Sequence, residues 1–289
     1  MQTPVTAENP NYDEISFWNG PQGKNWVKRN ALTDLMYDPF GARAVAAADL
    51  KRGEAVLDIG CGCGTTTRAL AVAVGSTGHV TSVEPSVPML EVARQRLAEY
   101  SDTVDFICDD AATHPFTPMS YDVLFSQFGL MFFIDTLAAF ENMATALRSG
   151  GRLSFVCWRA PEFNPWLTVL YDAASPYAPE MRLPKPGTAT TPFSLALEPT
   201  VKSVLEKSGF TEIALHQFDE TNRMGQGSLD DCIEFITEFS NPVATALRLN
   251  PPTMAPEILG EIKKAVAPYY DGETTALPAS SWIVTARKT

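Results

Sequence analysis

Residues 56–64 read Val-Leu-Asp-Ile-Gly-Cys-Gly-Cys-Gly, a short apolar run that passes straight into three glycines at alternate positions. Glycine is needed where a backbone turns sharply or where a ligand must press against it. Asp58, near the tip of the apolar run, supplies an acceptor for a cationic ligand group. A strand, a glycine turn and a helix in this order open the dinucleotide-binding folds. The nicotinamide spacing G-x-G-x-x-G is not met, because Gly60 and Gly62 fit it but Thr65 stands where the third glycine belongs. Glu84 comes about 20 residues after the last glycine, at the end of a second apolar run, where a carboxylate suits two hydrogen bonds to the vicinal hydroxyls of a ribose.

Other reactive side chains are sparse. His79, His114 and His216 are dispersed, with no H-x-x-x-H pair, and the cysteines lack C-x-x-C spacing, so no metal site is expected. Cys61 and Cys63 read as small residues packed around the glycine turn. If the reaction needs a general base, His114 is the candidate, since imidazole titrates at about 6.5. Its competing reading is a brace for the loop beside Pro115. His79 opens a strand away from the glycine turn and His216 lies in a late strand, so both read as structural.

The scaffold that must position these groups is written in the alternation of apolar runs. Runs too short for helices, at 54–60, 79–84, 104–109, 121–126 and 152–158, alternate with helix-length segments at 65–74, 87–100 and 134–148, the last stopped by Ser149-Gly150-Gly151. Such alternation implies an α/β doubly wound architecture, a parallel sheet with helices on both faces. From Pro161 to Pro192 seven prolines exclude a long uninterrupted helix. The core rhythm returns with a helix at 198–208 and strands at 212–218 and 281–287, and helices at 229–239 and 257–267 are inserted between those strands.

Composition narrows the partners. With 45% apolar and 19% charged residues, the 289-residue chain reads as an ordinary globular protein, not a disordered, collagen-like or coiled-coil one. A net charge of −12 with no basic cluster argues against nucleic acid. No apolar stretch reaches the roughly 18 residues of a membrane span, and Met1 to Asn11 lacks a leader pattern, so a cytoplasmic protein without a membrane partner is expected.

The order Asp58-x-Gly60-x-Gly62-x-Gly64 resembles motif I of the class I S-adenosylmethionine-dependent methyltransferases. Asp110-Ala-Ala-Thr-His-Pro-Phe116, Ser126-Gln-Phe-Gly-Leu-Met-Phe-Phe133, Gly150-Gly-Arg-Leu153, Asn164-Pro-Trp166, Trp18-Asn-Gly20 and Gly23-x-x-Trp26 are similar to a bacterial small-molecule subgroup of that family. The resemblance implies a Rossmann-like, mostly parallel seven-stranded sheet whose last strand is antiparallel, with helical cap insertions. It also implies S-adenosylmethionine as cofactor. Asp58, Gly60, Cys61 and Gly62 would then face the cofactor, Glu84 would bind its ribose, and Pro85 and Met89 would pack on the adenine edge. Asp110 and Ala111 would read the adenine, and Ser126 and Phe128 would lie around the methionine moiety.

Insertions in this family roof the acceptor pocket, which would place Trp158, Phe163 and Trp166 there, with core packing their competing reading, together with Tyr177, Phe235 and Phe239 from the inserted segments. Trp18 and Trp26 suit either a lid or helix packing. The expected organisation is a helical lid at 1–45, a cofactor-binding core at 46–160, a cap insertion at 161–197, core again at 198–224, a second cap at 225–275 and a closing strand at 276–289. The absence of an Asn-Pro-Pro-Tyr or Asp-Pro-Pro-Tyr tetrad argues against amino methylation of nucleobases or glutamine. The reading is methyl transfer to oxygen or nitrogen of a small, partly apolar metabolite. Its alternatives are a protein or carboxyl methyltransferase, a nicotinamide-dependent oxidoreductase and a noncatalytic S-adenosylmethionine-binding module. The sequence leaves the oligomeric state open.

Overall fold

The structure, a computed structural model, describes residues 8–289. The first seven residues of the expected lid, which are also most of the segment read for a leader, lie outside them. Three helices come first, α1 (Tyr12–Asn19), α2 (Pro21–Lys28) and α3 (Asn30–Ala47). The alternating core follows as β1 (Ala55–Ile59), α4 (Thr65–Val74), β2 (His79–Val83), α5 (Val87–Arg96), β3 (Val104–Ile107), β4 (Tyr121–Gln127), α6 (Thr136–Ala146) and β5 (Leu147–Trp158). The remainder is α7 (Pro165–Ala174), α8 (Glu198–Lys207), β6 (Phe210–Met224), α9 (Leu229–Phe239), α10 (Asn241–Leu249), α11 (Ala255–Val266) and β7 (Thr275–Lys288).

All seven strands form one sheet in the order β3-β2-β1-β4-β5-β7-β6. The first five run parallel, and β7 lies antiparallel between β5 and β6. Val56, Leu57, Asp58 and Ile59 are all buried, as expected of a strand covered on both faces. The strand order reverses between β1 and β4, so the crevice at their carboxyl ends is where this architecture holds a ligand.

Some elements differ from the sequence expectation. Strands β6 and β7 pair from Phe210 opposite Lys288 to Met224 opposite Thr275, far beyond the expected 212–218 and 281–287. The extension runs through Asp219-Glu220-Thr221-Asn222-Arg223, whose charge hides it, although these residues pair in register with β7 along one edge of β6. Helix α6 ends at Ala146, and Leu147 already pairs with Tyr121, so Ser149-Gly150-Gly151 belongs to the start of β5. Helices α7 and α10 were not expected from the sequence; α7 begins at Pro165 inside the proline-rich stretch, and α10 carries Pro242. Both sit in a first turn, where proline removes no helical hydrogen bond.

The two insertions also meet. Helix α7 of the first packs against α10 and α11 of the second, around Leu170, Ile236, Val243, Ile258 and Ile262. They make one cap with its own apolar core, carried on the long β6–β7 ribbon above the crevice.

Candidate active site

A cavity of about 640 Å³ opens over the carboxyl ends of β1, β2 and β4, roofed by α1–α3 and the cap. Its floor is the glycine turn. A Cβ on Gly60 would lie 2.9 Å from the Cα of Gly129, so this glycine lets the turn after β1 touch the one after β4. Gly62 differs. Its φ is +54, it lines the cavity, and a Cβ there would meet nothing within 4 Å, so the backbone stands bare beside open space. The amide of Gly62 donates to Glu84 Oε2 (3.0 Å), and that of Ser86 donates to Oε1 (2.9 Å). Burial outweighs these two donors and pushes the Glu84 carboxyl up to about 7.

Asp58 is not on the wall. Alternation along β1 turns its side chain under the glycine turn, where it accepts from Thr67 Oγ1 (2.7 Å) and Ser82 Oγ (3.3 Å) while its other oxygen has no partner. Burial pushes this carboxyl up to about 6. Ser126 is likewise drawn away from the cavity, because its Oγ donates to the Ile59 carbonyl (2.8 Å) and accepts from the Gly129 amide (3.2 Å), tying the two strand tips together. Cys61 and Cys63 line the floor as buried thiols, and burial pushes that of Cys63 up to about 12.

Pro85, Met89, Asp110 and Ala111 line one end. Asp110 accepts from the Ala112 amide (2.9 Å) through one oxygen and from Asn11 Nδ2 (2.8 Å) through the other. Asn11, which nothing in the sequence singled out, also accepts from the Ile134 amide (2.8 Å). Asn19 donates to the Pro85 carbonyl (2.9 Å) and accepts from the Val87 amide (3.0 Å), and Ser86 Oγ donates to the Trp18 carbonyl (2.8 Å). The lid is therefore fastened to the loops after β2 and β3. Asp34 on α3 reaches the other side of the floor, accepting from Thr65 Oγ1 (2.5 Å) and Arg96 (2.6 Å).

The far end is aromatic. Phe128, held at φ +58, stacks on Trp158 with ring centres 4.2 Å apart, and Trp26 stacks on Tyr37 at 5.4 Å. Trp166 and Phe239 complete this wall. Trp18 and Trp26 also face the cavity, and Glu14 beside them accepts from Trp18 Nε1 (3.0 Å) with its carboxyl pushed by burial up to about 7.

Besides Asp58 and Ser126, four more expected residues lie elsewhere. His114 is off the wall, its Nδ1 2.7 Å from Asp109 Oδ2 and its ring against Phe116, so it braces the loop after β3. Phe163 is 45% exposed beneath the Arg159 guanidinium, because the turn at Pro161–Phe163 points it outward. Tyr177 donates to Glu257 on the outside of the cap, and Phe235 is buried behind Phe239, where the helical repeat of α9 directs it into the cap core. His79 pairs with Asp105, and His216 is exposed on β6. Among the described residues no cluster of His, Cys, Asp and Glu suits a metal ion, and no helix is long and apolar enough to cross a membrane.

A family profile described as a methyltransferase domain matches residues 56–151. Over 204 residues the chain is 31% identical to the ubiquinone/menaquinone biosynthesis C-methyltransferase UbiE of Pseudomonas syringae, a match that takes in 66% of this chain and 79% of that protein. The chain belongs to the class I S-adenosylmethionine-dependent methyltransferase family. Aklanonic acid methyltransferase DauC of a Streptomyces species is 33% identical over 45% of this chain and 63% of its own length. A Staphylococcus aureus demethylmenaquinone methyltransferase is 38% identical over 42% of this chain and 50% of its own length. The chain thus spans between half and two thirds of these two relatives.

Among solved structures, the YcgJ protein of Bacillus subtilis superposes with a TM-score of 0.54 at 16% identity, covering 86% of this chain and 97% of that one. The [4+2]-cyclase SpnF superposes with a TM-score of 0.50 at 17% identity, covering 87% and 81%. Both likenesses concern the fold, and a cyclase on this fold shows that the architecture alone does not name a reaction.

Proposed function

We propose that the chain binds S-adenosylmethionine across the glycine turn and transfers its methyl group to a small, flat, partly apolar molecule held under the cap. The observation that carries this reading is the single cavity that joins Gly62, Glu84 and Asp110 to the aromatic wall of Trp26, Tyr37, Phe128, Trp158, Trp166 and Phe239. The first group fits the cofactor. Glu84 offers carboxylate oxygens to vicinal hydroxyls, Asp110 an acceptor to an exocyclic amine, and Gly62 a bare backbone beside open space.

When bound, the cofactor supplies an electrophilic methyl group on a sulfonium. The chain's own part is to align the acceptor and exclude water, which suits a displacement that neutralises charge. The lid bonds of Asn11 and Asn19 close one end, and the cap closes the other. His114 does not reach the cavity, so no imidazole is assigned as base. Oxygen or nitrogen is the acceptor atom expected from the sequence. A ring carbon activated by a neighbouring oxygen stands beside them, supported by the C-methyltransferase named among the relatives.

Incubation with methyl-labelled S-adenosylmethionine and a set of naphthols, hydroxynaphthoquinones and aromatic amines tests this. Labelled product is expected from at least one class, and the position of the label assigns the atom. Binding of S-adenosylhomocysteine without label transfer to any of them would favour the noncatalytic binding module. No binding of S-adenosylhomocysteine would overturn the reading.

A further inference from the structure

The aromatic end of the cavity contains one phenol whose role the fold does not explain. Tyr37 lies on α3 with its ring set by three neighbours, stacked on Trp26 at 5.4 Å with 5° between planes, tilted against Phe128 at 5.4 Å and against Trp158 at 6.2 Å. Its backbone is held as well, since Gln127 at the end of β4 donates to the Tyr37 carbonyl (2.7 Å). Gly41, one turn further along α3, gives Gln127 the space to do so, because a Cβ there would sit 2.8 Å from the Gln127 amide.

The hydroxyl of this fixed ring has no hydrogen-bond partner among the described residues, although the residue lines the cavity. Tyr37 is half-buried and its hydroxyl is not sealed in the core, so it opens onto accessible space at the cavity wall. A packing role alone would be served by phenylalanine, as it is at Phe128 and Phe239 on the same wall. Burial pushes the Tyr37 phenol well above its ordinary range, so it stays protonated and can both donate and accept.

We propose that Tyr37 recognises an oxygen on the methyl acceptor, a ring hydroxyl or carbonyl, and so selects oxygenated flat rings over bare hydrocarbons of the same shape. The inference rests on the aromatic end being the acceptor site. Apolar pockets commonly take orientation from a few placed polar groups, and a pocket built to bond an oxygen discriminates against the analogue that lacks it, because the protein group is then left unpaired. Tyr37 is a specificity-determining residue in this account. It carries no proton away from the reacting atom.

The experiment compares 1-naphthol with naphthalene by calorimetric titration into the protein saturated with S-adenosylhomocysteine. In the parent, 1-naphthol is expected to bind at least about fivefold more tightly than naphthalene. In Tyr37→Phe, which keeps the ring and its stacking, the preference should shrink to within about twofold while naphthalene affinity is retained. A parent with no preference, a parent that binds neither compound, or a Tyr37→Phe variant that keeps the preference would overturn the proposal. So would a Tyr37→Phe variant with weakened S-adenosylhomocysteine binding, which would place the hydroxyl on the cofactor. Failure of S-adenosylhomocysteine to bind the parent would instead strike at the cofactor reading itself.

Discussion

Replacing Glu84 by glutamine probes the centre of the site. Glu84 is 6% exposed, and its two oxygens already accept from the amides of Gly62 and Ser86. Glutamine keeps one oxygen but turns an NH2 toward the second amide. One buried donor is then unpaired, at about 1–3 kcal/mol of stability. The charged acceptor for a ribose diol is lost too, and hydrogen bonds to charged groups contribute about 1.5–3 kcal/mol. Affinity for S-adenosylhomocysteine should therefore fall by roughly ten- to a hundredfold.

The same side chain sets a pH signature. Burial raises its carboxyl from 4.5 to about 7, so between those values the folded protein holds a proton that the unfolded chain has released. Stability then falls as pH rises through that window, by up to roughly 3 kcal/mol at about 1.4 kcal/mol per unit. Ribose hydroxyls donate to the ionised carboxylate, so the proton must leave on binding, and affinity should weaken by up to about tenfold per unit below about pH 7. Calorimetric titrations and thermal melts between about pH 5.5 and 8.5 follow both effects. Glu84→Gln should bind weakly and lose the slope in affinity, while its stability slope only shrinks because Glu14 and Asp58 also have raised carboxyls. Glu14→Gln should keep the affinity slope, although Glu14 also lines the cavity. Affinity within about twofold of the parent at high pH, or an unchanged slope in Glu84→Gln, would refute the reasoning.

The remaining perturbations separate the turn, the lid and the histidine. Gly62→Ala places a methyl group in the cavity at a left-handed φ, costing about 1–2 kcal/mol of stability but more than about tenfold in S-adenosylhomocysteine affinity. Gly60→Ala, whose Cβ would meet Gly129, should lower the melting temperature further than Gly62→Ala does; the opposite order would undo this division of roles. Asn11→Ala removes the partner of both Asp110 and the Ile134 amide. Stopped-flow displacement should then show S-adenosylhomocysteine leaving at least about fivefold faster, and an unchanged rate would mean that the lid does not retain it. His114→Ala should lower the melting temperature and leave turnover within about twofold, whereas a hundredfold loss of turnover would restore the histidine as a base.

Local order decided what the sequence could say by itself. The glycine turn after β1, the carboxylate at the end of β2 and the alternation of buried strands with amphipathic helices are all short-range patterns. They sufficed for the sheet, for the crevice, and for Gly62 and Glu84 on its wall, whereas Met89 and Asp110 were reached only through the family resemblance. Within the proline-rich stretch from Pro161 the same local reading missed α7, because one residue type both starts and breaks helices and Pro165 starts one.

Which side chains meet across the cavity was settled by tertiary packing. Tyr37 on α3 and Asn11 just before α1 belong to no motif, and they reach the site only because α1–α3 fold back over the strand ends. Trp166 and Phe239 face the cavity while Phe163, Tyr177 and Phe235 do not, although all five are aromatic residues of the same inserted segments. That choice depends on the rotation of α7 and α9 in the cap, which is set by the packing of α7 on α10 and α11 and of α9 on α2, α10 and α11, and neither composition nor periodicity within α7 or α9 encodes it.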